Sequence, residues 1–430
     1  MNFKESLDPE QLLFPSQKIH VPSTNLAFHG RITLPGDKSI SHRAAILASI
    51  AEGTSRISGF LESQDCLATI DVLQKLGITI EHPEHGVFVI HGRGGFFSEP
   101  SGTLDCKNSG TTMRLLAGLL AAQPFTTTLV GDNSLSKRPM RRVMEPMSAM
   151  GASLQATGMK GTAPLIIQGG RLHPIDYELP MSSAQVKSAI ILASLFTPGT
   201  TTIMEPTACR DHTERMLTSF QGSCSCLLDQ EERRILSVIG PQKLRACSFQ
   251  VPGDISSAAF WMVAAAARRG SHVCFDNVGL NPTRTGIVDV LKRMGADISI
   301  QPHPTAQAEP LGTITITGTT LQGTIIQGEE IANVIDELPI LAVAGVLAHG
   351  TTIIKDAQEL RVKETDRISA MVNNLQAMGA TVTEQDDGLE IQGGASLRGT
   401  TLTSYGDHRI AMACAIAGLF ACGETMIEDT

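Results

Sequence analysis

The chain has 430 residues, a formal net charge of −9, 42% apolar residues and only 4% aromatic ones. That length exceeds one ordinary domain and that composition belongs to a globular protein with an aliphatic core. The acidic balance argues against a general nucleic-acid binder, and no RNA-binding or zinc-finger pattern is present.

One pattern recurs along the chain at a spacing of roughly 70–80 residues, too long for a solenoid rung. Each copy opens on Asp, Ser, Asn, Lys or Arg, runs through small apolar residues, breaks at Gly or Pro, and ends in a β-branched strand. The copies begin at Gly36 (GDKSISHRAAILASIAEGTSRISGF), Asn108, Ser182, Asp254, Asp336 and Asp407. The first five continue with a polar helix start, an amphipathic helix and another strand, as in DCLATIDVLQKLGITIE, TRTGIVDVLKRMGADISI and TDRISAMVNNLQAMGATVTE. The sixth stops at Thr430, so a further helix and strand are expected beyond that residue to cover the apolar helix at 410–422.

The first helix of each unit is apolar or small all round (AAILASIA, AIILASLF, ILAVAGVLA) and is predicted to be buried; the second has a polar face and lies outside. In the fifth unit Ile368, Met371, Val372, Leu375 and Met378 carry the helical period. Short strands such as TTLVG, TTIME and TTIIK complete an α/β chain with internal symmetry. Pro35-Gly36-Asp37 and Pro252-Gly253-Asp254 precede the first and fourth units. They divide the chain into 36–252 and 1–35 plus 253–430, with a hinge near 34–37 and 251–254.

No stretch reaches the ~18–20 apolar residues of a membrane span. The opening MNFKESLDPEQ is polar and acidic, unlike a signal peptide, and no role is assigned to the first residues. Nine scattered cysteines without zinc spacing read as reduced thiols packed like small apolar residues, so a cytoplasmic setting is expected.

Cations gather at helix beginnings, where the macrodipole disfavours them by about 0.3–1 kcal/mol each. Lys38, Ser39 and Arg43 open the first helix; Asn108 to Thr111 open the next; Lys137 and Arg138 precede Pro139, read as a first helical residue. Ser182, Ser183 and Gln185 open another, as do Arg210, Asp211 and His212. Arg361, Lys363, Glu364 and Arg367 open the long fifth-unit helix, and Asp407, His408 and Arg409 the last. Taken alone, RVKETDR is a solvated helix face and His212 or His408 a satisfied cap. Recurrence at the same point of successive units points instead to anion binding, since helix N–H groups, hydroxyls and an Arg fork suit phosphate and carboxylate.

These segments resemble the 5-enolpyruvylshikimate-3-phosphate synthase family from about Ile32 to Thr430. The resemblance rests on LPGDKSISHR (34–43), NSGTTMR (108–114), KRP (137–139), SSAQVK (182–187), DELPILAVA (336–344), ELRVKETDR (359–367) and DHRIAM (407–412). RDHTE (210–214), SAQVK (183–187) and NPTR (281–284) are similar to the bacterial class II subgroup. The resemblance implies the two-domain enolpyruvyl transferase fold, three βαβαββ units per domain, with the sixth unit incomplete here. It implies transfer of the enolpyruvyl group of phosphoenolpyruvate to the 5-hydroxyl of shikimate 3-phosphate, with release of phosphate and no cofactor or metal. A monomer inhibited by glyphosate is expected.

By matched motif, the resemblance places Lys38, Ser39, Arg43, Ser183, Ala184, Gln185, Arg210, Asp336 and Lys363 at shikimate 3-phosphate. It places Lys38, Gly110, Arg138, Gln185, Arg367 and Arg409 at phosphoenolpyruvate. Asp336 is assigned as base for the 5-hydroxyl and Glu364 as the group at the methylene carbon, with Lys38 and Lys363 sharing proton duty. The family continues with a Lys past the point corresponding to Thr430. Two alternatives share the fold: the enolpyruvyl transferase acting on UDP-N-acetylglucosamine, which carries a Cys before its Arg-Pro pair where this chain has DNSLSKRP, and a non-catalytic anion-binding protein.

Overall fold

The computed structural model describes residues 18–231, 233–304 and 307–430. The first unit holds α1 (Lys38–Ile50) and α2 (Gln64–Lys75), the second α3 (Gly110–Ala121) and α4 (Arg141–Ala149), the third α5 (Ala184–Ser194) and α6 (His212–Ser219). The fourth holds α7 (Ile255–Ala266) and α8 (Gly286–Arg293), the fifth α9 (Glu330–Val334), α10 (Leu338–Leu347) and α11 (Arg367–Ala377), the sixth α12 (His408–Leu419). As expected, the leading helices lie in the core. Every residue of α10 from Leu338 to Val346 is buried, and each large aliphatic side chain there contributes about 1.5–3 kcal/mol. α3 and α5 cross so closely that a Cβ on Gly118 would stand 2.1 Å from the Ala189 carbonyl oxygen.

Five sheets of four strands repeat one pattern: a parallel pair, then two antiparallel strands. In the third unit Asp176–Glu178 runs parallel to Gly199–Glu205, which pairs antiparallel with Arg234–Gly240, itself antiparallel to Ser225–Leu228. Two lead strands are exchanged. His29–Ile32 pairs with His272–Gly279 of the fourth unit, whereas Ser248–Gln250 pairs with Glu52–Ser58 of the first. The sixth sheet has three strands among the described residues: Ile19–Val21 pairs antiparallel with Thr425–Glu428, Ile19 opposite Ile427, in the place that the third strand takes in the other sheets.

Two separate cores result. One runs from Ile40 to Val251; the other joins Val21 to residues from Ile255 to Ile427. The chain passes between them twice, and the passages are bonded to each other: Asp37 N donates to the Pro252 carbonyl (2.8 Å) and Asp254 N to that of Pro35 (2.9 Å). A side chain on Gly36 would put its Cβ 1.9 Å from the Gly59 carbonyl oxygen, so only glycine fits this crossing.

Two helix starts differ from expectation. Pro139 is not a first helical residue: a 3₁₀ turn covers Leu135–Lys137, Pro139 bridges to Thr162, and α4 begins at Arg141. The fifth-unit helix begins only at Arg367, because Asp366 caps it by accepting from Ile368 N (3.1 Å) and Ser369 N (3.2 Å). Arg361 therefore precedes the helix and turns outward to Asp366 (2.7 Å) and Glu384 (3.0 Å). Among the described residues no helix is long and apolar enough to cross a membrane.

Candidate active site

The helix starts of both halves face one cavity of about 840 Å³. Each start is shaped by its cap. Asp37 accepts from Ile40 N (2.9 Å), Ser109 from Thr112 N (3.1 Å) and Asp407 from Arg409 N (2.8 Å), which orients the first turns of α1, α3 and α12. Thirteen of the fourteen residues singled out in the sequence line this cavity: Lys38, Ser39, Gly110, Arg138, Ser183, Ala184, Gln185 and Arg210 from one half, and Asp336, Lys363, Glu364, Arg367 and Arg409 from the other. Arg43 is the exception. It lies one helical turn below Ser39, buried, and donates to the Ser39 carbonyl (2.9 Å), Ser188 Oγ (2.8 Å) and Thr213 Oγ1 (2.8 Å).

Oppositely charged groups meet across the cleft. Arg210 Nη1 lies 2.6 Å from Asp336 Oδ2, and Arg138 Nη1 lies 3.4 Å from Glu364 Oε1. On the second half's own side Arg367 is a hub. Its Nη2 is 2.7 Å from Glu364, its Nε 2.8 Å from Asp407 and its Nη1 3.4 Å from Asp336. Arg409 donates to the Asp336 carbonyl at 3.1 Å. Lys38 Nζ is paired with Asp65, and Lys363 Nζ with Glu359 at 3.1 Å.

These pairs set the proton affinities. Burial alone would raise the Asp336 pKa, but Arg210, Arg409, Lys363 and Arg367 outweigh it and hold the carboxyl well below its usual range. Glu364 also feels burial, yet Arg367 and Arg138 bring it down to about 2. His408, pressed by burial and by the neighbouring Arg409 and Lys38, falls to about 4 and is neutral near pH 7. Two arginine donors, Arg138 Nε and Arg210 Nη2, are buried without a hydrogen-bond partner among the described residues. The cavity wall gathers Arg114, Arg138, Arg210, Arg367 and Arg409, a concentration of guanidinium groups that suits anionic oxygen acceptors.

The EPSP synthase (3-phosphoshikimate 1-carboxyvinyltransferase) family model matches residues 23–430. The chain belongs to this family. A 3-phosphoshikimate 1-carboxyvinyltransferase from Akkermansia muciniphila is 51% identical over 412 residues, covering 94% of each chain. One from Desulforamulus reducens is 50% identical over 401 residues, covering 93% of this chain and 92% of the relative. Among solved structures, EPSP synthase from Acinetobacter baumannii superposes with a TM-score of 0.84 at 45% identity, covering 96% of this chain and 94% of that one. The enolpyruvyl transferase NikO from Streptomyces tendae, at 18% identity and a TM-score of 0.74, shares the fold. The enolpyruvyl transferase architecture expected from the motifs is therefore present, and the chain is an enzyme of this transferase class.

Among the further cavity residues that the sequence reading assigned to neither substrate are Arg114, Asn108 and Asp65. Arg114 donates to Gln185 Oε1 (2.6 Å) and to the Pro139 carbonyl (3.4 Å), tying three wall segments together. It sits four residues after Gly110, the same offset as Arg43 from Ser39, and that offset was the available signal. Asn108 accepts from Arg138 Nη2 at 2.5 Å and donates to Asp132 at 2.7 Å. Asp65, in the first turn of α2, neutralises Lys38; nothing in its local sequence separates it from an ordinary helix-start carboxylate.

Proposed function

We propose that this cavity catalyses enolpyruvyl transfer from phosphoenolpyruvate to the 5-hydroxyl of shikimate 3-phosphate, the reaction of the shikimate pathway that its family performs. The supporting observation is the set of cleft arginines gathered around Asp336 and Glu364. Lys38, Ser39, Ser183, Ala184, Gln185, Arg210 and Lys363 hold shikimate 3-phosphate, with Asp336 at its 5-hydroxyl. Arg43 joins them by exchanging Ser188 or Thr213 for a substrate oxygen. Arg138, Arg367 and Arg409, with Lys38, Gln185 and Gly110, hold phosphoenolpyruvate.

The chemistry needs protons moved in both directions. The 5-hydroxyl oxygen attacks C2 while its proton passes to Asp336; C3 gains a proton at the Glu364 side, giving a tetrahedral adduct. Phosphate then leaves and the methyl returns a proton, restoring the double bond. With its cations undivided, Glu364 is too acidic to deliver a proton near neutral pH. Substrate phosphate and carboxylate groups take over Arg138 and Arg367 and add negative charge beside Glu364, both of which raise its pKa toward a useful value. Substrate binding therefore prepares the acid. Lys38 and Lys363 stand by as further proton carriers.

The two segments 36–252 and 1–35 plus 253–430, of which residues 1–17 lie outside the described residues, act as domains that close about the bonded crossings near 34–37 and 251–254, excluding water from the reacting atoms. Their separate cores and the paired crossings support this reading. The enzyme is a cytoplasmic monomer, and glyphosate competes at the Gly110 side. Formation of enolpyruvylshikimate 3-phosphate and phosphate from the two substrates tests the assignment; a folded protein that forms neither overturns it.

A further inference from the structure

Lys187 is fully buried, and none of the groups named above uses it directly. It lies on α5, two residues after Gln185. Its Nζ stands 2.8 Å from Glu205 Oε1 and 2.7 Å from Glu214 Oε1, and donates to the Cys209 carbonyl at 3.4 Å. Those three partners bracket one loop. Glu205 ends the strand Gly199–Glu205, Glu214 lies in the first turn of α6, and Cys209 immediately precedes Arg210. Glu205 Oε1 also accepts from Cys209 N (3.3 Å) and Sγ (2.8 Å), closing the loop on itself. One ammonium thus clasps both ends and the middle of the segment that delivers Arg210, and it does so from the helix whose start presents Ser183, Ala184 and Gln185. Ser182 Oγ, donating to the Thr207 carbonyl at 2.8 Å, makes a second link between the same two segments.

Burying a lysine between two carboxylates is an expensive way to fill space, since an apolar side chain of similar length packs without desolvating three charges. A directional clasp gives what packing does not: a fixed distance between two walls. We infer that Lys187 is a positioning residue, holding the Arg210 loop in register with Ser183–Gln185 so that both segments grip one sugar phosphate. This rests on the functional reading above, in which both segments bind shikimate 3-phosphate.

The test measures kcat and both KM values for Lys187→Met, for Arg210→Ala and for the two combined. Because Met leaves Glu205 and Glu214 unpaired and can compromise folding, the triple variant Lys187→Met, Glu205→Gln, Glu214→Gln is measured in parallel, with thermal melts to count folded protein. We expect the KM for shikimate 3-phosphate to rise about tenfold in the Lys187 variants, while the KM for phosphoenolpyruvate and kcat per folded molecule change less than about threefold. Adding Lys187→Met to Arg210→Ala should cost little more, because the clasp acts through the same guanidinium. If the folded triple variant keeps the wild-type KM, if both substrates shift equally, or if the two substitutions multiply, the positioning role is overturned. If Arg210→Ala itself leaves the KM for shikimate 3-phosphate unchanged, the assignment of Arg210 to that substrate fails first, and the clasp falls with it.

Discussion

Replacing Asp336 with Asn separates chemistry from binding. The side chain keeps its shape but loses the charge that Arg210 (2.6 Å), Arg367 (3.4 Å) and Arg409 (3.8 Å) surround. As the proposed acceptor of the 5-hydroxyl proton, its loss should lower kcat by ~10²–10⁴. The ligand-free protein pays separately: breaking a buried ion pair typically destabilises by about 3–5 kcal/mol, which lowers Tm by roughly 3–6 °C when a chain of this length melts as one unit. Substrates should reverse much of that loss, because their anionic groups pair with the arginines that Asp336 has released. Affinity for shikimate 3-phosphate should therefore hold or improve while turnover collapses. Steady-state kinetics with both substrates, equilibrium binding of shikimate 3-phosphate and melts with and without it decide the matter. A variant with kcat within about threefold of wild type places the proton acceptor elsewhere. A variant that binds shikimate 3-phosphate much more weakly makes Asp336 a binding group instead.

Arg138→Ala removes a charge-assisted donor worth about 1.5–3 kcal/mol and should weaken phosphoenolpyruvate by on the order of tenfold to a hundredfold, read as KM; unchanged kinetics would sink its assignment. Gly110→Ala would set a Cβ 3.1 Å from Arg114 Nη1 and 3.4 Å from Arg138 Nη1. The Arg114 guanidinium must give way slightly and the methyl fills the space beside Arg138, so glyphosate inhibition should weaken more than phosphoenolpyruvate binding; equal shifts in the two constants would refute the steric account. Acid should destabilise the fold in two ranges. Burial, reinforced by Lys38, lowers the pKa of His42 from 6.5 to about 3, so the unfolded chain binds the extra proton and stability declines as pH falls from 6.5. Glu364, at about 2 against an ordinary 4.5, contributes stability above pH 4.5 that is lost as pH falls toward 2. Denaturant unfolding across pH 7 to 2 should show a shallower upper slope in His42→Gln and a shallower lower slope in Glu364→Gln.

Much of this was legible in the residue order, because it is local. The all-apolar first helices announced burial, the polar second helices announced exposure, and Lys or Arg at helix starts announced anion chemistry against the macrodipole. Those signals depend on spacing within one unit. What they could not show is pairing between distant segments. That Ile19–Val21 joins the last sheet, and that His29–Ile32 and Ser248–Gln250 change places between units, follows from which distant segments meet in space. Asp65, Asn108 and Arg114 joined the site for the same reason: each gains its role from a partner dozens of residues away or on another element. Arg43 shows the converse. Its motif puts it beside Ser39, but one helical turn of depth and the hydroxyls of Ser188 and Thr213 set it behind the cavity wall. Periodicity and local charge are written in neighbouring residues. The depth of a side chain, and the identity of the group facing it, exist only once the chain has closed on itself.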